Sequence, residues 1–222
     1  MTEGDDIFAT STNARAQFAR LGGQIPVLLV DNIFADPLRV RQTALGLPYE
    51  PAGAHYPGRK ARVAAGNKSL TDLLSKLVAL VTREYVPMLP PFPDGRRPTP
   101  VRGADTDFAI TDLHPDQLSR EQSRPHVDDV PVFGLIYLNE QDRGGTLFFR
   151  PRSHADQPTP RRGYQVEPDE FVELYGKIEG RFNRLAIYPG FILHSGEIKG
   201  DWISGEERLR EPRLTQRIMF FF

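Results

Sequence analysis

Histidine and aspartate residues two positions apart are the first candidates for chemistry in this chain. The spacing occurs three times, at His114/Asp116, His126/Asp128 and His154/Asp156. On a β-strand, residues i and i+2 point to the same face, so such a pair can offer two ligands to one metal ion. Only the pair in "RPHVDDVPVFGLIYLNE" (124–140) directly precedes a strongly apolar run that can hold it in place. We therefore expect His126 and Asp128 to be metal ligands and the other two pairs to be surface residues.

A third ligand is expected from a distant part of the chain. His194 lies near the end of "FNRLAIYPGFILHSGEI" (182–198), a pattern that predicts two strands joined by a Pro-Gly turn. Taken alone, a histidine at the end of an apolar run is more often a hydrogen-bonded core residue than a ligand. Beside His126 and Asp128 it completes the set of two histidines and one carboxylate that binds Fe(II) and leaves positions open for a co-substrate and dioxygen.

Three polar residues alternate at the start of the last apolar segment. In "PRLTQR" (212–217), the side chains of Arg213, Thr215 and Arg217 share one face of the predicted strand. An arginine inside an otherwise apolar sheet is unfavourable unless an anion meets it. Its guanidinium matches a carboxylate in geometry, and a threonine hydroxyl can add a hydrogen bond. The pattern indicates an anionic ligand, with a salt bridge to a glutamate of residues 206–211 as the alternative.

Short strands must position these residues. From about residue 101, apolar segments rich in β-branched and aromatic residues alternate with turn residues, and strands are predicted at 107–112, 132–138, 145–149, 184–188, 191–195 and 213–222. A short helix is predicted at 167–177, inside an insertion that spans 150–183. Helices followed by many antiparallel-type strands predict an α+β, mainly β fold, namely a double-stranded β-helix (jelly roll) with supporting N-terminal helices.

The first hundred residues are expected to support that core within a single domain, 1–222. A loosely held lead-in is predicted at 1–24, a strand at 26–31, and helices at 36–46 and from Ser69 to the prolines of 86–100. Asp36 is expected to cap the first helix, and Ser69 with Asp72 resembles a capping box for the second.

The composition excludes several classes of function. Lys and Arg (28) nearly balance Asp and Glu (29), so nothing favours a nucleic-acid or membrane partner. The chain has no cysteine, which excludes disulfides, thiolate nucleophiles and cysteine-bound zinc. Its acidic start lacks the features of a secretory signal, so a cytoplasmic protein is expected. The oligomeric state is left open, with a homodimer as one option.

Four segments carry a resemblance to a known family. They are "HVD" (126–128), "LIYLNEQDRGGTLFF" (135–149), "LAIYPGFILHSGEI" (185–198) and "RLT" (213–215). In this order they resemble the Fe(II)/2-oxoglutarate-dependent dioxygenase superfamily, most of all its branch of prolyl 4-hydroxylase-type and related bacterial small-molecule hydroxylases. The hairpin containing "YLNE" and "GGTLFF" is the most specific of the matches.

The resemblance implies roles for individual residues. The iron ligands would be His126, Asp128 and His194. The distal carboxylate of 2-oxoglutarate would be bound by Arg213 with help from Thr215, although Arg217 could take the place of Arg213. Tyr137 and Asn139 would also line the co-substrate pocket.

A reaction is implied as well. Dioxygen and 2-oxoglutarate would be consumed, succinate and carbon dioxide released, and an unactivated C–H bond of a small molecule or amino-acid-type substrate hydroxylated. Related halogenases carry a small residue in place of the carboxylate ligand, so Asp128 favours hydroxylation, desaturation or demethylation over halogenation.

The sequence gives weaker indications of which residues bind the substrate. Arg161 and Arg162, in the insertion with Arg150 and Arg152, could attract an anionic substrate, although a solvated basic loop is the simpler interpretation. Asp112 or Asp129 could bind an amine.

A cupin-like protein that binds a metal or small ligand without turnover is the main alternative, but it would not need Arg213. A zinc-dependent hydrolase or isomerase would use the same ligands without needing dioxygen or 2-oxoglutarate.

Overall fold

The computed structural model describes residues 6–53, 56–152, 164–203 and 205–222. The strands are β1 (Arg15–Leu21), β2 (Ile25–Asp31), β3 (Glu50–Pro51), β4 (Gly58–Ala61), β5 (Gly103–Thr111), β6 (Val132–Tyr137), β7 (Thr146–Pro151), β8 (Val172–Ile178), β9 (Arg184–Pro189), β10 (His194–Gly196) and β11 (Arg213–Phe221). The helices are α1 (Pro37–Leu45), α2 (Lys68–Leu80), α3 (Gly200–Ile203) and α4 (Glu207–Arg210), with a π-helical turn at Val81–Tyr85 and 3₁₀ turns at Val86–Met88 and Pro115–Gln117. Within these ranges no helix has both the length and the apolar character needed to cross a membrane.

The strands form two antiparallel sheets. The large sheet has the order β1-β2-β9-β6-β11-β5-β4-β3, and the small sheet has the order β10-β7-β8. After β5 the chain forms an isolated bridge with the first residue of β10, returns to the large sheet as β6, and then supplies β7 and β8 to the small sheet. It continues through β9, β10 and β11, changing sheet each time. This alternation is a jelly roll, as the sequence predicts.

Two cores result because alternate residues of a strand point to opposite faces of its sheet. Leu135, Ala186 and Phe148 pack with their neighbours between the two sheets. The outer face of the large sheet, which includes Ile136 and Leu185, packs in a second cluster with the N-terminal helices. Fully burying one such leucine or phenylalanine stabilises the fold by about 1.5–3 kcal/mol, so both faces of the large sheet contribute to stability.

The N-terminal elements follow the predicted pattern with two corrections. The Asp36 side chain accepts a hydrogen bond from the Arg39 N–H at 3.0 Å, so the predicted cap of α1 is confirmed. The predicted capping box of α2 is wrong, because the Asn67 side chain caps this helix by accepting the Leu70 N–H at 2.9 Å. The predicted lead-in is also wrong over Arg15–Leu21, which pairs along its whole length with β2.

The helix predicted at 167–177 is wrong as well. The Asp169 carboxylate accepts the N–H groups of Phe171 and Val172 at 2.8 and 2.9 Å, which makes a tight turn. Val172–Ile178 then forms β8 and pairs with β7. A strand is favoured here because the backbone hydrogen bonds with β7 complete the small sheet, a tertiary effect that outweighs local helix propensity.

Candidate metal centre and adjoining pocket

The backbone brings His126, Asp128 and His194 together where the chain crosses between the sheets. The His126 N–H donates to the His194 carbonyl at 2.8 Å, and the His194 N–H donates to the His126 carbonyl at 2.8 Å. The Asp128 N–H donates to the Gly190 carbonyl at 2.8 Å. These three hydrogen bonds fix the positions of the three residues relative to one another, and β10 continues from His194 into the small sheet.

One ligand-type atom from each of the three residues lies within 4.8 Å of the others. The His194 Nδ1 atom is 2.8 Å from the Ile192 carbonyl oxygen, so this nitrogen carries the donated proton. The Nε2 atom of His194 then presents a lone pair, and it lies 3.3 Å from the Oδ2 atom of Asp128. A hydrogen bond from the second ring nitrogen to a carbonyl is the usual way in which proteins orient a metal-binding histidine.

The environment of His126 keeps its ring neutral at pH 7. Although the residue is exposed, desolvation by the surrounding protein, followed by the effect of the neighbouring His194, lowers the pKa of His126 to about 4. The ring centroids of His126 and His194 are 4.7 Å apart. A neutral imidazole is the form that binds a metal ion.

The donor atoms fit a divalent cation. The buried Oδ2 of Asp128 has no hydrogen-bond partner among the described residues, and it faces the Nε2 atom of His194. With the His194 proton on Nδ1, two acceptor atoms therefore meet without a donor between them, which a cation would relieve. Two imidazole nitrogens, one carboxylate oxygen and no thiolate match the facial set typical of non-haem Fe(II).

A pocket of about 80 Å³ adjoins these three residues and is also lined by Arg213 and Thr215. The Arg213 Nε and Nη2 atoms donate to the carbonyls of Gly144 and Gly145 at 2.8 and 3.3 Å. Gly144 has a φ of +74°, and a side chain there would lie 3.1 Å from Trp202 and 3.3 Å from Arg213. The Gly-Gly pair of the "GGTLFF" segment therefore allows the buried Arg213 to reach this position.

The two arginines of β11 differ in their partners. Arg217 forms two hydrogen bonds with Asp107, at 2.6 and 2.5 Å, and these residues lie directly opposite each other on β11 and β5. Arg213 forms no ion pair with a described carboxylate, so the predicted alternative of a salt bridge to residues 206–211 is not observed in the described part of the chain. The Oγ1 atom of Thr215 is buried and has no hydrogen-bond partner in that same part. The pocket thus contains a guanidinium and a hydroxyl that can still bind an anion.

The family of unknown function DUF6445 matches residues 12–158 and 153–220 of this sequence. The chain belongs to this family. No curated protein matches the sequence significantly.

Several solved structures are similar to this DUF6445 chain, and their names describe a prolyl hydroxylase, an alpha-ketoglutarate-dependent epimerase and a member of the 2OG-Fe(II) oxygenase family. A prolyl hydroxylase from Trichoplax adhaerens, in complex with a hypoxia-inducible-factor peptide, is 15% identical, with 88% of this chain and 83% of that chain covered and a TM-score of 0.48. The epimerase SnoN from nogalamycin biosynthesis is 13% identical, with 89% and 79% covered and a TM-score of 0.46. An oxidoreductase of the 2OG-Fe(II) oxygenase family from Burkholderia pseudomallei is 13% identical, with 88% and 84% covered and a TM-score of 0.40.

The remaining residues singled out in the sequence lie in different surroundings. Neither Tyr137 nor Asn139 is among the residues that line the pocket. The Tyr137 hydroxyl is hydrogen-bonded to Thr146 at 2.7 Å, and its ring centroid is 6.0 Å from the Arg213 guanidinium. The Asn139 amide is bonded to the Pro212 carbonyl and the Leu214 N–H, both at 2.9 Å.

The residues considered for substrate binding are also dispersed. Asp112 forms an ion pair with Arg59 at 2.5 Å and does not line the pocket. Arg161, Arg162 and the His154/Asp156 pair lie outside the described residues. His114 and Asp116 interact with each other at 3.5 Å, away from the pocket.

Tyr188 is a pocket residue that the sequence reasoning missed. Its ring packs against His194 with a centroid separation of 5.1 Å, and its hydroxyl is buried without a hydrogen-bond partner among the described residues. Burial raises the pKa of Tyr188 well above its usual value, so the phenol stays protonated and can donate a hydrogen bond. A tyrosine six residues before the proposed histidine ligand, on the preceding strand, was the available signal.

Proposed function

We propose that this protein is an Fe(II)- and 2-oxoglutarate-dependent oxygenase that hydroxylates an unactivated C–H bond of a small molecule or amino-acid-type substrate. One observation carries the proposal: the set His126, Asp128 and His194 shares a pocket with an arginine that has no carboxylate partner among the described residues. A site that binds only a metal ion has no need of that arginine, whereas a dicarboxylate that chelates the metal requires a cation at its other end.

In this proposal each group of residues has a distinct role. His126, Asp128 and His194 hold the iron. Arg213 binds the distal carboxylate of 2-oxoglutarate, and the unpaired hydroxyl of Thr215 adds a hydrogen bond to it. Bound iron would supply the oxidising chemistry, in which dioxygen and 2-oxoglutarate give succinate, carbon dioxide and the hydroxylated product.

The pocket around the site can also exclude water. Tyr188, Phe133 and Leu135 line it as buried side chains. If Asp128 holds the metal ion, its carboxylate would take the place that a halide would need, which supports hydroxylation over halogenation.

The deciding experiment is an anaerobic titration of the purified protein with Fe(II) and 2-oxoglutarate, monitored by the weak visible charge-transfer band of their chelate. We expect the band in the wild type and in His114→Ala, a matched control that removes the histidine of another His-x-Asp pair outside the pocket. We expect no band in His194→Ala or His126→Ala, with the fold of each variant checked by circular dichroism.

Each other result points to a different function. Binding of Fe(II) without a band would favour the metal-binding, cupin-like protein. Binding of neither Fe(II) nor 2-oxoglutarate would mean that the contact between Asp128 and His194 is structural. Turnover that needs zinc, but neither dioxygen nor 2-oxoglutarate, would favour a hydrolase or isomerase.

A further inference from the structure

A groove of about 690 Å³ lies beside the pocket that contains Arg213. Its volume is within the usual range for sites that bind small molecules. Asp128, Phe133 and Arg217 line both the groove and the pocket, whereas Lys60 lines the groove alone and Arg213 the pocket alone. A ligand in the groove can therefore reach Asp128 without entering the space next to Arg213.

Lys60 is on the inner face of the large sheet. It lies directly opposite Ala109 on β5, and Ala109 lies directly opposite Thr215 on β11. Directly opposed residues of antiparallel strands point to the same face, so Lys60 shares a face with Thr215 and Arg217.

The cations of the groove differ in how they are neutralised. Arg217 is paired with Asp107, and the Arg62 Nη2 atom is 2.8 Å from Asp105. Lys60 forms no ion pair with any carboxylate in the described part of the chain, and its ammonium lies 5.0 Å from the centre of the Tyr56 ring. Lys60 is thus the groove cation available to a ligand.

The acidic residues of the groove do not change this conclusion. Glu50 is the cross-strand neighbour of Lys60 and is exposed, as is Asp129, and neither forms an ion pair with Lys60. Desolvation, followed by the nearby Arg217, lowers the pKa of Lys60, and Asp107 and Asp128 oppose this shift. Asp107 is already bonded to Arg217, and a metal ion would neutralise the charge of Asp128. Metal binding would therefore reduce the negative charge near the Lys60 ammonium and favour the binding of an anion there.

Apolar side chains form other parts of the groove wall. They belong to Pro48, Pro51, Val130, Phe133 and Met219. The groove therefore combines apolar contact area with one available ammonium group close to the proposed metal site.

We propose that this groove binds the substrate that is oxidised, and that the substrate is a small organic acid whose carboxylate pairs with Lys60 while its apolar body contacts Phe133 and Met219. The assignment of this ligand as the oxidised substrate rests on the proposed function. The binding of an apolar carboxylate in the groove does not.

The test uses methionine methyl groups as reporters. The chain contains three methionines, and Met219 lines the groove whereas Met88 packs against the core cluster on the other face of the large sheet. Protein labelled with ¹³C at the methionine methyl groups is titrated, without metal, with phenylacetate and with its uncharged analogue phenylacetamide, each up to about 20 mM. Met219→Leu identifies the Met219 signal.

We expect phenylacetate to shift the Met219 signal in a saturable way and to bind about fivefold or more tightly than phenylacetamide, because a half-buried ion pair is only partly screened by water. Lys60→Gln should abolish this preference, and Lys60→Arg should retain it. Lys76→Gln removes an exposed lysine of α2 that does not line the groove, so this control should behave as the wild type.

Equal binding of the acid and the amide, an unchanged preference in Lys60→Gln, or no shift of Met219 would overturn the proposal. So would a loss of 2-oxoglutarate affinity in Lys60→Gln, because Lys60 would then belong to the co-substrate site. Any of these results would overturn the groove proposal but not the proposed oxygenase function. Conversely, a missing charge-transfer band in the wild type would refute the oxygenase function, and the Met219 titration would still decide whether the groove binds carboxylates.

Discussion

Replacing Arg213 by glutamine tests how the protein is proposed to hold 2-oxoglutarate. Arg213 is 6% exposed, and its hydrogen bonds to the carbonyls of Gly144 and Gly145 orient the guanidinium before a ligand arrives. A hydrogen bond between charged groups contributes about 1.5–3 kcal/mol. Since 1.4 kcal/mol corresponds to a factor of ten, the dissociation constant of 2-oxoglutarate should rise about 10- to 150-fold.

The charge-transfer titration measures this constant directly, and the affinity for Fe(II) alone serves as an internal control. Arg213 is not among the three proposed metal ligands, so Arg213→Gln should bind Fe(II) as the wild type does. Arg213→Lys keeps the charge but not the two-pronged geometry and should give an intermediate constant. Wild-type affinity for 2-oxoglutarate in correctly folded Arg213→Gln would refute the assignment.

Arg217→Gln is the matched variant on the same strand face. The side chains of Arg217 and Asp107 are 15% and 6% exposed, and removing one partner of a buried ion pair destabilises a protein by about 3–5 kcal/mol. We therefore expect a large loss of unfolding free energy, measured with urea, but a 2-oxoglutarate affinity within about twofold of the wild type in the folded protein. A specific loss of affinity in Arg217→Gln and none in Arg213→Gln would exchange the two roles.

Three further variants test the framework of the site. Asn139→Ala should lower the unfolding free energy by about 1–3 kcal/mol, because its amide bonds the backbone at the start of β11, and should leave the 2-oxoglutarate affinity unchanged. Gly190→Ala should weaken Fe(II) binding although every proposed ligand remains. The new methyl carbon would lie 2.1 Å from the Val130 carbonyl oxygen and 3.2 Å from the Asp128 side chain, so the backbone that holds Asp128 would have to shift. An unchanged Fe(II) affinity would contradict this expectation. Arg184 lowers the pKa of Asp31 below its usual 3.8, so the stabilisation from this carboxylate is fully present above that pH and is lost as the pH falls through the native value. Urea unfolding of Asp31→Asn and wild type should accordingly converge below about pH 3.8, and a constant difference down to pH 2 would refute the coupling.

Much of the fold and of the proposed ligand set is predictable because the relevant signals are local. Runs rich in β-branched and aromatic residues identify β6, β9 and β11, and turn residues mark where these strands end. The distinction between Arg213 and Arg217 is not local. It depends on the register that places Asp107 opposite Arg217, and these two residues are 110 positions apart in the chain. A spacing pattern places both arginines on the same face, and only the pairing of β5 with β11 shows which one already has an anion.

The errors have the same origin. A helix at 167–177 is reasonable from local propensity, but β7 provides a strand edge that only the folded chain presents to residues 172–178. Ser69 has the correct type and spacing for a cap, yet its hydroxyl is bonded to the N–H of Phe8 at 2.9 Å, a residue that packs beside α2 only in the folded state. Long-range partners outweighed the local preference in both cases.

The proposed metal ligands lie on backbone segments whose relative positions depend on a few long-range hydrogen bonds. A small change of register would therefore disrupt the site. His126 and His194 are joined by a single bridge of two hydrogen bonds, and Asp128 by one bond to Gly190. A shift of one residue would turn each ligand to the opposite side of the strand, because side chains alternate. The bridge also fixes where Asp128 lies, with the Arg213 pocket and the Lys60 groove both adjoining its carboxylate. Under the two proposals, co-substrate and substrate would approach one metal ion from two adjoining spaces, the co-substrate beside Arg213 and the substrate beside Lys60.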